Sequence, residues 1–230
     1  MLVSCKNLSK NYGKFVALKN INLDIPEGKI IGLLGQNGSG KTTLLKLINE
    51  LLVPTSGEII VKGEKIGINS KKIISYLPEN SYLDLNMKVN EVINYFADFY
   101  SDFDKETAYK LLDDLKIDAG NKLSTMSKGT REKVQLILAM SRKADLYILD
   151  EPIGGVDPAT RDYILDTILN NFKEGASVIL STHLISDIER ILDEVIFIKE
   201  GEIYLTGNAN ELRNKKNKSI DEIFREEFKC

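Results

Sequence analysis

The most constraining feature of this 230-residue sequence is the segment Gly35–Thr42, GQNGSGKT, which lies between an apolar run and a helical pattern. It matches the pattern G-x-x-x-x-G-K-[ST], in which glycines let successive backbone N–H groups point inward beside a positive helix end. Such a loop holds phosphate groups. We expect Lys41 to reach the β- and γ-phosphates, Thr42 to offer its hydroxyl to Mg²⁺ and Thr43 to bond the α-phosphate. The other predicted contacts to the nucleotide are Gly35, Asn37, Gly38, Ser39 and Gly40.

The composition disfavours nucleic-acid-binding, disulfide-rich and membrane-spanning proteins. The net charge is −3, from 31 basic and 34 acidic residues, so no basic excess favours a nucleic-acid partner. The two cysteines, Cys5 and Cys230, lie at opposite ends, which disfavours a disulfide framework or a zinc site and fits a reducing cytoplasm. No secretory signal is visible after Met1, and apolar runs such as Ile30–Leu34 fall far short of the ~20 residues that span a bilayer.

Short runs rich in valine, isoleucine and leucine are typical of buried strands. The predicted strands are Leu2–Leu8, Val16–Ile25, Lys29–Gly35, Glu58–Val61, Ile73–Leu77, Leu146–Asp150, Ser177–Ser181 and Glu194–Lys199. Helical patterns follow at Thr42–Leu52, Ala159–Phe172 and Leu184–Leu192. Strands alternating with such helices predict an α/β fold with a mostly parallel sheet. The turn signal Pro26-Glu27-Gly28 favours an antiparallel hairpin between the second and third strands, and hence an N-terminal antiparallel β subdomain.

The middle third departs from this alternation. From about residue 88 to 142 the pattern is helical throughout, at Val89–Tyr100, Lys105–Leu115 and Lys128–Ser141, which predicts an all-helical insertion into one core. The main domain is expected to span residues 1–207, followed by a short helical tail at 208–230. Ile220, Ile223, Phe224 and Phe228 share one face of the tail helix. That face favours docking on the chain's own core; a regulatory or dimer contact is the alternative.

Two carboxylates end the apolar run Leu146–Leu149. Because ligands bind at the carboxyl ends of the strands in open α/β sheets, Asp150 and Glu151 are expected in the catalytic plane. Asp150 would hold Mg²⁺, and Glu151 would act as general base towards the attacking water. His183, the single histidine, follows another strand and could bond the γ-phosphate.

Together these residues resemble the ATP-binding-cassette ATPases, from about Val3 to Gly207. The resemblance implies a P-loop NTPase core in which Tyr12 stacks on adenine, Glu151 is the catalytic glutamate and His183 the switch histidine. The segment Met126-Ser127-Lys128-Gly129-Thr130 resembles the signature Leu-Ser-Gly-Gly-Gln, with Lys and Thr as departures. Ser127 and Gly129 would then contact the γ-phosphate of ATP bound to a second copy. Ser127 is equally suited to cap the next helix.

Two further segments vary the family pattern. Glu79, in Tyr76-Leu77-Pro78-Glu79-Asn80, takes the position of the family's glutamine, where a carboxylate can still ligate Mg²⁺. Asp157 matches the family's aspartate that communicates between subunits, and with Pro158 it also forms a good helix start.

The resemblance implies an ATPase subunit that binds ATP and Mg²⁺ as a homo- or heterodimer and powers a separate transmembrane permease. It would lie in the cytoplasm, peripheral on the inner face of the cell membrane. The variant Leu77-Pro78-Glu79 and the altered signature resemble bacterial ATP-binding proteins of the drug-export type, which export drugs, peptides or cell-envelope compounds. A soluble cassette ATPase of translation or DNA repair is the alternative, although no zinc module or second cassette is visible. A non-cassette GTPase or kinase is a third reading, and Asn217-Lys218-Ser219-Ile220 lacks the acid of a guanine-reading motif.

Overall fold

The structure, a computed structural model, describes residues 1–228, so Cys230 and the end of the predicted tail lie outside the described residues. The strands are β1 Val3–Tyr12, β2 Phe15–Ile25, β3 Ile30–Leu34, β4 Ser56–Val61, β5 Glu64–Lys65, β6 Ile74–Leu77, β7 Leu146–Asp150, β8 Ser177–Thr182, β9 Glu194–Lys199 and β10 Glu202–Asn208. The helices are α1 Lys41–Ile48, α2 Ile68–Ile73, α3 Val89–Phe99, α4 Lys105–Asp114, α5 Lys128–Met140, α6 Pro158–Asn171, α7 Ile185–Ile188, α8 Ala209–Lys216 and α9 Ile220–Phe228.

The strands form two sheets. The larger has the order β10-β9-β3-β8-β7-β6, and its pairs are parallel except for β9 with β10. Every residue of β7 and β8 is buried, as in parallel sheets that are covered on both faces. The smaller sheet, of order β2-β1-β4-β5, is antiparallel. An α/β fold with an antiparallel N-terminal sheet is thereby confirmed.

The hairpin expected at Pro26–Gly28 is wrong. β3 does not pair with β2 but lies between β8 and β9 in the larger sheet. The antiparallel partner of β2 is β1, through a turn at Gly13, whose φ of 58° suits glycine. The physical reason is burial, because β3 is an unbroken apolar run that needs cover on both faces.

The helical insertion has its own core. Val89, Ile93, Leu112, Val134 and Leu138 belong to one cluster of buried residues contributed by α3, α4 and α5. The insertion is also fixed to the larger sheet by Arg142, which follows α5. Its guanidinium donates to the carbonyl oxygen of Ile74 at 2.6 Å, pairs with Asp102 at 3.0 Å and lies 3.9 Å from the centre of the Tyr100 ring.

The tail packs on the core of the larger sheet, as its apolar face predicts. Ile220, Ile223, Phe224 and Phe228 are buried in the same cluster as Phe197 of β9. The sequence patterns missed α8 and β10, and the helix expected at Leu184–Leu192 is the four-residue α7 followed by a 3₁₀ turn at Glu189–Ile191. Among residues 1–228, no helix combines the length and the apolar character that crossing a membrane requires.

Candidate functional site

The phosphate-binding loop leaves the carboxyl end of β3 and enters α1. Gly38 and Gly40 have φ values of 78° and 109°, a region that favours glycine. A Cβ on Gly35 would lie 2.5 Å from the carbonyl oxygen of Ile198, so that position also excludes a side chain. The Lys41 side chain is 6% exposed, and its ammonium donates to the carbonyl oxygens of Gly35 at 2.8 Å and Gln36 at 3.3 Å. The Lys41 side chain therefore lies over the loop at which a triphosphate would bind.

The Asp150 carboxylate lies beside this loop because β7 and β8 are parallel neighbours and place Asp150 opposite Ser181. Its Oδ1 accepts hydrogen bonds from the hydroxyls of Ser181, at 2.5 Å, and Thr42, at 3.2 Å. Its Oδ2 is buried with no hydrogen-bond partner among residues 1–228. Burial raises the pKa of Asp150, and the nearby Glu151 adds to the rise, against the lowering effects of Ser181, Thr42 and Lys41. An unpartnered carboxylate oxygen next to a threonine hydroxyl is a donor set that fits a divalent cation.

Glu151 links Lys41 to His183. Its Oε1 lies 3.5 Å from the Lys41 ammonium, and its Oε2 lies 3.1 Å from His183 Nδ1. The Glu151 backbone adopts a φ of 52° and donates its N–H to the backbone oxygen and hydroxyl of Ser181, each at 3.1 Å. A left-handed backbone is costly for glutamate, and this pair of hydrogen bonds holds it in place. The carboxylate, the ammonium and the imidazole therefore form one connected group.

These groups line an open cleft of about 800 Å³. The predicted residues that line it are Asn37, Gly38, Gly40, Lys41, Thr42, Thr43, Glu79, Asp150, Glu151 and His183. Gly35 and Ser39 belong to the loop itself, and the Ser39 hydroxyl is buried without a hydrogen-bond partner among residues 1–228.

The aromatic residue at the cleft is not the one expected. Tyr12 is 46% exposed, carries the Lys10 ammonium 5.3 Å from its ring centre and is absent from the lining of the cleft in the described chain. Phe15, its partner across the β1–β2 turn, lines the cleft and is 63% exposed. Sequence reasoning missed Phe15, although an aromatic residue three positions after Tyr12 was a visible signal.

The segment Met126–Thr130 is accessible. Ser127 is exposed and caps α5, since its Oγ accepts from the Thr130 N–H at 3.1 Å. A Cβ on Gly129 would meet no atom within 4 Å, so the space over it is open. Ser127 and Gly129 are not among the residues lining the cleft of their own chain, whereas Lys128 and Arg131 are. Asp157 likewise caps its helix, α6, through the Thr160 N–H at 3.1 Å, and hydrogen bonds from Thr160 lower its pKa.

A second concavity, of about 970 Å³, lies where the helical insertion meets the larger sheet. We call it the aromatic groove. Five exposed apolar side chains line it, those of Leu51, Ile68, Tyr82, Tyr95 and Phe99. Glu79, just past the end of β6, lines both the groove and the nucleotide cleft. The two concavities therefore share the segment 78–80, together with Thr42 and Asp150.

Known ATP-binding proteins are similar to this chain in sequence. The chain is 31% identical to the ABC transporter ATP-binding protein YhaQ of Bacillus subtilis, over 95% of this chain and 76% of that protein. It is 30% identical to the lantibiotic transport ATP-binding protein SrtF of Streptococcus pyogenes, over 89% and 90% of the two chains.

Solved structures are similar over nearly the whole chain. A structure of the ATP-binding subunit of an ABC transporter has a TM-score of 0.88 at 26% identity and covers 98% of this chain and 99% of that one. The cassette MJ0796, solved as a dimer bound to ADP and Pi, has a TM-score of 0.78 at 26% identity and covers 90% and 98%. The family model described as ABC transporter matches residues 18–154, more than half of the chain. The chain therefore belongs to the ABC transporter family, among its ATP-binding subunits.

Proposed function

We propose that two copies of this chain bind two ATP molecules between them, hydrolyse them and so drive a separate membrane-spanning subunit in the direction of export. ATP hydrolysis is the activity of the family. The observation that carries the proposal is the connected group formed by Lys41, Glu151 and His183 beside Asp150, in a cleft with an open side.

In this mechanism Glu151 accepts a proton from the attacking water while His183 holds the γ-phosphate and helps to orient that water. The Lys41 ammonium neutralises charge that develops on the phosphate oxygens. Lys41 already lies between the loop carbonyls and Glu151, so binding of a triphosphate would redirect its ammonium towards the phosphates. That movement would leave Glu151 hydrogen-bonded to His183 alone and available as a base.

Mg²⁺ would be held by Thr42, Asp150 and Glu79 together with the nucleotide, and it would neutralise the negative charge shared by the β- and γ-phosphates. The unpartnered Oδ2 of Asp150 supports this assignment. Ser181 keeps the carboxylate oriented through Oδ1, which leaves Oδ2 for the cation.

The second copy would contribute the phosphate contacts that one chain lacks. Ser127 is exposed and the space over Gly129 is open, and both lie at the N-terminal end of α5, where a helix favours negative charge. The relative MJ0796 is a dimer with ADP and Pi bound, which supports the same arrangement for this chain. Tyr12 and Phe15 are the candidates for stacking on the adenine, since both lie at the β1–β2 turn.

The membrane partner would dock in the aromatic groove. Exposed side chains such as Tyr95 and Phe99, 58% and 67% exposed, form an apolar surface of the kind that marks an interaction site. The groove also borders Glu79, so docking would act directly on the nucleotide cleft. SrtF is a lantibiotic transport protein, and this relationship supports export as the direction. The subunit would then lie on the inner, cytoplasmic face of the membrane.

The test is the variant Glu151→Gln, which keeps the size of the side chain but removes the base. We expect ATP turnover to fall by ~10²–10⁴ while ATP still binds. Glu174→Gln, an exposed position after α6, is the matched control and should hydrolyse ATP at the wild-type rate. Turnover of Glu151→Gln within a few-fold of the wild type would remove Glu151 from the mechanism.

A further inference from the structure

Two opposite charges, those of Glu79 and Lys128, face the nucleotide cleft. Glu79 is a proposed Mg²⁺ ligand, and Lys128 has no role in the proposed mechanism. The other charged groups in the cleft have contacts of their own. Lys41 contacts Glu151, Glu151 contacts His183, and Arg131 donates to the carbonyl oxygen of Met126 at 2.8 Å. Asp150 accepts hydrogen bonds from Ser181 and Thr42, and Glu132 lies 3.7 Å from Lys128.

Lys128 stands where a cation is intrinsically disfavoured. It is the first residue of α5, and the first turn of that helix contains no acidic residue. A helix N-terminus carries a partial positive charge, so a lysine there is destabilising unless an anion lies nearby. Among residues 1–228 its one ion pair is with Glu132, at 3.7 Å, and the lysine side chain is 84% exposed. Such a pair contributes little, and lysine preceding glutamate by four residues is the weaker order.

Glu79 presents the complementary charge. It is exposed, and within residues 1–228 the cationic side chains at the cleft pair with groups other than its carboxylate. An oxygen donated to Mg²⁺ would still leave the second oxygen for a cation. Glu79 and Lys128 do not pair within one chain, although both line the same cleft.

We infer that Lys128 of one copy pairs with Glu79 of the second copy when two ATP-bound copies close on each other. The inference rests on the proposed dimer, because Lys128 lies beside Ser127, which would meet the other copy's nucleotide. In that position the Lys128 ammonium balances the negative charge that Glu79 of the second copy adds next to the γ-phosphate. The pair occurs twice in each dimer, once at each composite site, and makes closure depend on charge complementarity between copies.

Charge exchange tests this pairing in the slow-hydrolysing background Glu151→Gln, with the fraction of dimer measured by light scattering against ATP concentration. Glu79→Lys alone and Lys128→Glu alone should each raise the half-maximal ATP concentration at least about tenfold, because like charges then face each other. Joined in one chain, the two substitutions should lower the half-maximal ATP concentration below that of either single variant, although lysine at position 79 no longer offers an oxygen to Mg²⁺. Lys110→Glu, at an exposed position on α4 outside the cleft, is the control and should leave the curve unchanged.

An equimolar mixture of the two single variants distinguishes pairing between copies from pairing within a copy. In the mixed dimer one site has the natural pair and the other has the exchanged pair, so the mixture should dimerise where neither variant does alone. A mixture that stays monomeric while the doubly substituted chain dimerises would overturn the inference. A doubly substituted chain that needs as much ATP as the single variants would also overturn it.

Neutral substitutions distinguish loss of the ion pair from a general effect on folding. Lys128→Met should weaken dimerisation strongly when Glu79 is present and only slightly when Glu79 is replaced by glutamine. Equal effects in the two backgrounds would contradict the pairing. If Glu151→Gln itself stayed monomeric with ATP, the proposed dimer would fail first, so the two failures are distinguishable.

Discussion

Burial of the Asp150 carboxylate lowers the stability of the folded protein. Asp150 ends β7, a strand whose residues are all buried, and it is itself 1% exposed. A buried carboxylate with one oxygen unpartnered is destabilising in the absence of a cation. The raised pKa of Asp150, caused first by burial, has the same physical origin. Asp145, five residues earlier, is the opposite case, because Lys62 and Lys173 each lie 2.5 Å from it and lower its pKa against the effect of burial.

We therefore expect opposite effects from two Asp→Asn substitutions. Asp150→Asn removes a buried charge, so it should stabilise the nucleotide-free protein by ~1 kcal/mol and raise its melting temperature by about 2–4 °C. The same variant should lose Mg²⁺-dependent ATP hydrolysis. Asp145→Asn weakens two ion pairs and should lower the melting temperature while hydrolysis persists. Calorimetry of the two variants checks the signs, and a lower melting temperature for Asp150→Asn would contradict the assignment of Asp150 as a poised cation ligand.

At the scale of elements, the aromatic groove depends on how the helical insertion is fixed to the sheet. Arg142 connects the end of α5 to β6 through the carbonyl oxygen of Ile74, and β6 leads directly to Glu79. On α3, Tyr95 and Phe99 stack with ring centres 6.2 Å apart and leave their outer faces exposed. The groove is therefore connected to the nucleotide cleft through β6 and the short segment 78–80 that follows it.

The double substitution of Tyr95 and Phe99 by alanine should separate partner binding from catalysis. Both side chains are more than half exposed, so stability should change little. We expect recovery of the multi-spanning partner from solubilised membranes to fall at least about tenfold, since aromatic anchors dominate binding energy at interfaces. ATP hydrolysis by the purified subunit should stay within about twofold of the wild type.

Tyr109→Ala provides the matched control for this experiment. Tyr109 lies on α4, is 37% exposed and does not line the groove. Its substitution should leave recovery of the partner unchanged. Undiminished recovery with the doubly substituted groove would place the partner elsewhere on the surface.

For the whole molecule, the sequence predicts best those features that depend on residue types close together in the chain, such as the phosphate-binding loop. The phosphate-binding loop, the two carboxylates at the end of β7 and His183 were predicted from residue types and spacing. The structure brings Glu151 and His183 within 3.1 Å of each other. Strand pairing is a tertiary property, so the hairpin expected between β2 and β3 was wrong. Phe15 and the aromatic groove were missed because they depend on which distant segments the fold brings together.

The central claim is that two copies close around ATP, and the mass of the Glu151→Gln protein in solution tests it most directly. One chain has a mass of 25.8 kDa. With Mg²⁺ and saturating ATP, light scattering should give twice that mass, and with ADP the single-chain mass. The same single-chain mass at saturating ATP, with nucleotide bound, would contradict the account.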